Sequence, residues 1–510
     1  MARTSETFQR KLLAQRLEQD ARERKAKQLL HKKSTEKTEL ESLSIGIKSE
    51  TTIEVGSEHV PDVNGSSRPI VDDEPRNREI KGTQDCISSL PTEGRERYAR
   101  EAKISHSYVP TQYNPAWWST NEHFQTIVGT LFRKETMYSR GLKDIKVLLE
   151  LTGLGGKSDD EPNSRHPLAR FRWDERVRME TKDGDFCYVD WKYADGSDQN
   201  ENTNSNEKPV CLICHGLESC SDSELAKEFA MACNDQNMDA ACLNFRGCCD
   251  YGEECNLTDR AYHLGFTDDL MEQIEAIHSE SPNRRIYLSG FSLGAAVVTK
   301  LLADLGETAY RYNVCGAAVN AVPFDTGQCH QNMNEPGIVK TIYGDRLLKS
   351  MKRRMKKQYD MGVFAFERSE IDDCETIMDI ENLVIAPVFA FDDALDYYDK
   401  VKTIDKLQKV SVPELVIQAR DDPFFEGLEL PDNDTDRPLR ILYTDRGGHC
   451  GYIFHRLGDT QAPLPTVSWM PSELARFLAH LEETNARSDC DQPLETPVEQ
   501  SKEIPEAVLA

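Results

Sequence analysis

The sequence lacks three features, and each absence excludes a class of protein. It lacks positive charge: its 510 residues carry 88 Asp and Glu against 62 Lys and Arg, a formal net charge of −26 and a pI of about 5.0. Binding to a phosphate backbone needs a basic field, so nucleic acid is excluded as the main partner, and the acidity reads as a solvated surface. It lacks an apolar run long enough for a bilayer. The most apolar stretch, Ile286 to Thr299, is 14 uncharged residues between Arg285 and Lys300, with two serines inside it. A membrane helix needs about 20 apolar residues. It also lacks a secretory signal, because the opening "MARTSETFQRKLLAQRLEQD" has no apolar core. The expected location is therefore a reducing, cytoplasmic one, with the 15 cysteines held as thiols. Cys211 and Cys214 form a C-x-x-C, yet no second pair stands at zinc spacing and the run around them reads as a buried strand. No metal and no cofactor is expected.

Aromatic residues are sparse at the start of the chain. Between residues 34 and 104 only Tyr98 is aromatic, in a background of Ser, Thr, Glu, Asp and Asn. Such a segment buries too little apolar surface to order itself. Residues 1–104 are accordingly expected to be an N-terminal arm that opens with a basic helix. Phe8, Leu12, Leu13 and Leu17 share one side of that helix at helical spacing. It suits an anionic membrane or a partner surface, although a solvated arm fits its composition better. Residues 105–485 are expected to form one large domain, and 486–510 a disordered acidic tail.

What is present within 105–485 is an alternation of apolar β-rich runs with helical patterns. A hairpin is expected across "RVRMETKDGDFCYVDW", turning at Asp183-Gly184, followed by strands at "PVCLICHG", "DAACLNFRG", "IYLSGF", "CGAAVNAV", "ELVIQA" and "RILYT". Helices are expected between most of them, for example Ser223–Gln236 and Thr267–Ser279. Near-continuous apolar strands separated by helices mean a mostly parallel sheet covered on both faces, an α/β fold. About 90 residues, 326–413, break the alternation and contain the basic helix "GDRLLKSMKRRMKKQYD". An insertion of this length is expected to be a helical cap or lid. Its Lys352, Arg353, Arg354, Lys356 and Lys357 offer contact to lipid head groups, against the plainer reading of a solvated helix face.

The apolar stretch contains Gly290-Phe291-Ser292-Leu293-Gly294, a G-x-S-x-G between a predicted strand and a predicted helix. That context is the one a nucleophile elbow requires. The turn is so tight that a Cβ at the flanking positions would collide with the neighbouring strand or helix. Ser292 is then pushed onto a strained backbone with its hydroxyl above the sheet. A serine nucleophile needs a base, and the base needs an orienting acid. In such folds the order is Ser, acid, His, which sets aside His215, His263 and His330 and leaves His449 in "YTDRGGHCGY". The acid falls in "RDDPFF". Asp422 is preferred over Asp421 because the Asp-Pro step begins the turn away from the sheet. The oxyanion donors are expected to be the backbone N–H groups of Leu293 and of Leu217, the latter in the loop after "CLICHG". The spacing His263-x-x-x-x-Asp268 occurs in some acyltransferases, but here Thr267 or Asp268 is better read as capping the helix that follows.

As a set, "NEHFQTIVGTLFR", "RVRMETKDGDFCYVDW", "HGLESCSDS", "NFRGCC", "AYHLGFTDDL", "GFSLGAA", "ARDDPFF" and "GGHCGY" resemble the YheT-like branch of the α/β-hydrolases, with its medium-chain phospholipase and esterase relatives. The resemblance runs from about Trp117 to Tyr452. It implies an α/β-hydrolase fold with a helical cap and hydrolysis of carboxylic esters, often medium-chain acyl esters or phospholipids, with acyl transfer to alcohols in some members. The family's triad falls on Ser292, the acid of "RDDP" and His449. Two departures stand out: eukaryotic relatives often carry an N-terminal membrane anchor that this sequence does not show, and Glu218 puts an acid beside the oxyanion loop. Three functions are carried forward: a serine hydrolase of short- to medium-chain acyl lipid esters such as an acylglycerol or phospholipid, an acyltransferase using the same acyl-enzyme, and a lipid-binding module without catalysis.

Overall fold

A computed structural model describes residues 82–115, 121–133, 168, 171–194, 208–248, 256–364, 366–428, 430–453 and 469–489. The basic helix expected within 1–33 and most of the acidic tail lie outside the described residues.

Eight strands form one sheet: β1 Glu175–Glu180, β2 Phe186–Lys192, β3 Val210–Cys214, β4 Asp239–Asn244, β5 Ile286–Phe291, β6 Val314–Asn320, β7 Glu414–Ala419 and β8 Leu439–Thr444. Their order across the sheet is β1-β2-β4-β3-β5-β6-β7-β8. The β1–β2 and β2–β4 pairs are antiparallel, and β4 through β8 pair in parallel. All eight were expected: β1 and β2 as the hairpin turning at Asp183-Gly184, and the other six as apolar runs. Strands β3, β4, β5 and β7 are buried along their whole length, which is why they read as continuous hydrophobic runs rather than alternating ones, while the edge strand β8 is only partly buried. Cys211 and Cys214 are fully buried in β3 on opposite faces, as strand alternation requires; a hydrogen bond with Cys233 together with burial pushes the Cys211 thiol up, and burial alone the Cys214 thiol.

Helices cover both faces, including Glu224–Asp235 and Asp268–Glu280, within a residue of their expected bounds, and Leu293–Leu305 directly after β5. Between β6 and β7 the chain runs through Thr326–Asn334, Asp345–Asp360, Arg368–Asp373, Ile377–Ile380 and Ala394–Val401 without adding a strand, as the broken alternation suggested. No helix among the described residues is long and apolar enough to cross a membrane.

The N-terminal boundary differs from the expectation. Thr83–Ser89 and Thr92–Ser107 are helices, although this stretch was expected to be part of a disordered arm. Composition misleads here because a few residues make the attachment. Tyr98 and Ala102 are buried, and the Tyr98 hydroxyl donates to the Gln408 carbonyl at 3.0 Å. Just beyond the helix, the buried Glu473 carboxylate accepts from the Tyr108 hydroxyl at 2.7 Å and the Thr111 N–H at 2.8 Å. Glu473 belongs to the helix Trp469–Asp489, which runs past the expected domain end at residue 485. A charged acceptor holding a buried donor is worth roughly 1.5–3 kcal/mol, because its removal leaves the Tyr108 hydroxyl unpaired. Glu473→Ala is therefore expected to lower Tm and to expose residues 83–113 to limited proteolysis before the sheet is cut. Unchanged protection of that segment would refute the anchor.

Candidate active site

The functional side chains stand on loops that leave the carboxyl ends of β3, β5, β7 and β8, the edge where open α/β sheets hold their ligands. Ser292 lies between β5 and the helix Leu293–Leu305 with φ +56° and ψ −121°, a region an L-residue adopts only when its surroundings enforce it. The enforcement is visible in the glycines. A Cβ on Gly294 would lie 2.1 Å from the Cys214 carbonyl oxygen of β3, and one on Gly290 would lie 2.7 Å from the backbone of Gly294. Strand, turn and helix are thus pressed together with no room for side chains, and the serine points out of the turn.

From Ser292 a continuous hydrogen-bonded chain leads away. Its Oγ is 2.8 Å from His449 Nε2, and His449 Nδ1 is 2.8 Å from Asp422 Oδ2. The carboxylate of Asp422 is fully buried and its other oxygen accepts the Phe424 N–H at 2.9 Å. An acceptor at Nδ1 fixes the proton there, which leaves the Nε2 lone pair for the serine hydroxyl. Phe424 stacks on the imidazole with centroids 4.0 Å apart and planes at 22°.

The acid chosen from "RDDPFF" is thus the one that meets the histidine. Asp421 points elsewhere: its Oδ1 accepts the Gly448 N–H at 2.8 Å and its buried Oδ2 has no recorded partner. Burial lifts the Asp421 carboxyl to about 6. Asp421 braces the backbone of the histidine loop, and Asp422 meets its side chain.

The loop around His449 has a second support that motif reading did not find. The helix Glu122–Arg133 lies against it. Thr126 Oγ1 accepts the His449 N–H at 2.8 Å, Gln125 Oε1 accepts the Ile453 N–H at 2.8 Å, and Arg133 donates to the carbonyls of Cys450 and Gly451. The approach is so close that a Cβ on Gly451 would sit 2.2 Å from the Gln125 carbonyl oxygen. The only sequence signal was the amphipathic segment "NEHFQTIVGTLFR" itself, whose polar residues form no recognisable motif.

On the far side of Ser292 lies the loop from His215 to Ser221. His215 is wholly buried, and burial lowers its pKa to about 4, so it is neutral at physiological pH. Its Nε2 accepts the Phe245 N–H at 3.1 Å, which places the ring proton on Nδ1, where it donates to the Gly216 carbonyl at 2.8 Å. His215 is therefore a brace for this loop, in keeping with its exclusion as a base. Leu217 lines the same cavity as Ser292 and His449, and so does Leu293. Leu293 opens its helix, so its N–H has no intrahelical acceptor.

That cavity has a volume of about 810 Å³ and is roofed by the inserted helices between β6 and β7. Leu225, Met333, Leu347, Met351, Ile385 and Phe424 give it an apolar lining. His330 and Glu381 lie at its wall, 3.2 Å apart. One expectation for a polar residue needs correction. Thr267 occupies the N-cap of Asp268–Glu280 but makes no side-chain cap bond, and Asp268 pairs with Arg260 at 3.3 Å instead. His263 is buried and neutral and accepts the Gly265 N–H at Nδ1. Arg354, one of the five cations of the basic helix, turns inward to Glu218. Lys352 and Lys356 both bond to Asp372.

Comparison with known proteins places these features in context. A family profile described as "Serine aminopeptidase, S33" matches residues 205–427. The chain is 28% identical to the putative esterase YheT of Escherichia coli over 59% of its own length and 83% of that protein. It is 26% identical to a monoacylglycerol lipase of Saccharomyces cerevisiae over 56% of this chain and 63% of the lipase. It is 24% identical to medium-chain fatty acid ethyl ester synthase/esterase 2 of the same yeast, over 54% and 63%.

The two aspartates are expected to separate cleanly under mutation. Asp422→Asn should lower kcat by roughly four orders of magnitude, as loss of the tautomer-fixing acid does in such triads. Asp421→Asn, which keeps an acceptor for Gly448, should stay within about tenfold of wild type, since only a loop brace is altered. The reverse ranking would exchange their roles. Their pH dependence differs too. The Asp421 carboxyl titrates higher folded than unfolded, so its stabilising contribution is complete below its unfolded value of about 4 and is lost as pH rises through about 6. Asp421→Asn should therefore raise Tm relative to wild type at pH 8, with the gap closing below about pH 5. A pH-independent difference in Tm would contradict this.

Proposed function

We propose that the chain is a serine hydrolase of lipid-like carboxylic esters in the YheT-like branch of the α/β-hydrolase superfamily, a reading that its similarity to the S33 family model, to YheT and to the yeast lipase supports. The observation that carries this reading is the unbroken hydrogen-bond chain Ser292–His449–Asp422 at the floor of an apolar cavity. In this reading Ser292 Oγ attacks the ester carbonyl carbon while its proton passes to His449 Nε2, and Asp422 stabilises the imidazolium. The oxyanion is held by the N–H groups of Leu217 and Leu293, the second aided by the positive end of the following helix. His449 then protonates the leaving alcohol, and water repeats the sequence on the acyl-enzyme. The cavity, at about 810 Å³, suits a short to medium acyl chain, and the names of the yeast lipase and the E. coli esterase agree with an acylglycerol or related lipid.

A peripheral lipid contact fits the outer face of the basic helix Asp345–Asp360. Lys349, Lys352, Arg353 and Lys357 line a groove there, and Lys349 and Arg353 also line the active-site cavity. Acyl transfer is the second reading, favoured by the relative that is named both synthase and esterase. In that case an alcohol takes the place of water on the same acyl-enzyme.

The test is labelling with a fluorophosphonate probe alongside a panel of acyl esters, each assayed with and without ethanol. Wild type should label and Ser292→Ala should not. Equal labelling of the two would reject Ser292 as nucleophile, and no labelling of either would favour a lipid-binding module. Ethyl ester accumulating faster than free acid would favour the transferase.

A further inference from the structure

Glu218 follows the proposed oxyanion donor Leu217 and lines the same cavity. It is an awkward residue for that place. Its φ is +56°, outside the range a glutamate prefers, and its carboxylate is almost completely buried beside a site where negative charge is to develop. A buried carboxylate persists only if it is paired, and an unpaired one would oppose an oxyanion.

Three bonds hold it. Its backbone N–H donates to the Tyr262 hydroxyl oxygen at 2.9 Å, the Tyr262 hydroxyl lies 3.3 Å from its Oε1, and Arg354 Nε donates to the same Oε1 at 2.8 Å. Arg354 comes from the inserted basic helix Asp345–Asp360. Its guanidinium lies over the Tyr262 ring, 5.1 Å from the centroid, and its Nη1 reaches Gln358. Tyr262 in turn stacks on Phe245, whose N–H donates to His215. Leu217 therefore lies between two fixed points: His215 bonded to Gly216 on one side, and Glu218 bonded to Tyr262 and Arg354 on the other. The first point belongs to the sheet. The second depends on a cation supplied by the roof of the cavity.

We infer that Arg354 is a positioning residue for the proposed ester chemistry: it neutralises Glu218 and fixes the loop that carries Leu217, so the oxyanion donors are set only while the inserted helix is seated. The inference rests on the serine-hydrolase reading and deepens it. It also makes the two halves of the ion pair unequal. Losing the cation leaves a bare carboxylate beside the oxyanion. Losing the negative charge alone, with the acceptor kept, leaves the loop bonded and adds no repulsion.

The experiment is steady-state kinetics on the full chain with a short, soluble acyl ester, for Glu218→Gln, Arg354→Gln and the double variant. Rates are normalised to fluorophosphonate-reactive serine, and folding is checked by thermal unfolding. Arg354→Gln should lower kcat about ten- to a hundredfold with little change in KM, short of the roughly 10²- to 10³-fold cost of losing an oxyanion donor outright. Glu218→Gln should lower kcat less than Arg354→Gln does, because the amide oxygen still accepts from Tyr262 and Arg354. Adding Glu218→Gln to Arg354→Gln should restore the part of the lost kcat that the bare carboxylate causes, leaving the part due to the lost tie between Arg354 and the loop. Equal losses from the two single variants, or a double variant worse than Arg354→Gln, would mark an ordinary structural ion pair and overturn the inference. If Arg354→Gln fails to fold, Arg354→Met takes its place in the same comparison: a fall in kcat larger than that of Glu218→Gln and partly reversed by Glu218→Gln supports the inference, and equal losses overturn it. A wild type that neither labels nor hydrolyses would instead overturn the serine-hydrolase reading, so the two failures are distinguishable.

Discussion

The close approach of Gly294 to the carbonyl of Cys214 governs the geometry of everything around it. Because no Cβ fits there, the helix after β5 begins almost in contact with β3, and Ser292 is left on a backbone with φ +56°. That one constraint raises the hydroxyl above the sheet, aims the first N–H of the helix at the same point, and sets the loop after β3 alongside it. The sheet supplies the rigidity such a strained residue needs, since β3 and β5 are buried along their length and β5 is paired in parallel on both sides, with β3 and with β6, the last after a one-residue register shift at Ile286/Tyr287. The neighbouring strands contribute the remainder from their carboxyl ends: the acid after β7 and the histidine after β8.

Around this rigid centre the supports differ in kind. Asp422 and Phe424 hold the imidazole directly, by a buried carboxylate and a stacked ring. Asp421, Thr126 and Arg133 hold the backbone of its loop from two other parts of the chain. On the loop after β3, a neutral histidine braces one end and an ion pair from the inserted helix braces the other. Each brace is polar and mostly buried, and such groups favour a single arrangement, because any other leaves charges or donors without partners.

The strands, the insertion and the serine, aspartate and histidine of the central chain were legible in the sequence, for identifiable reasons. Buried parallel strands write themselves as short apolar runs. The elbow carries its glycines at fixed offsets, and the order of acid and histidine follows the order of the strands. The choice between Asp421 and Asp422 also followed from local chemistry, because the Asp-Pro step turns the chain after Asp422. What escaped was decided by distance in sequence. Helix Thr92–Ser107 is attached through Tyr98 to Gln408, some 310 positions away, so its composition alone suggested disorder. Arg354 sits in a run of cations that reads as a solvated face, and only the fold reveals that this one meets Glu218, 136 positions earlier. The helix Glu122–Arg133 matches no catalytic motif, and its part in seating His449 depends on glycine contacts that no pattern announces.

The most direct test of the central claim is a crystal structure of the chain after reaction with a phosphonate ester. The account requires the phosphorus on Ser292 Oγ, with the phosphonyl oxygen about 2.7–3.1 Å from the backbone nitrogens of both Leu217 and Leu293. A phosphonate on another residue, or one whose oxygen points away from those two N–H groups, would contradict it.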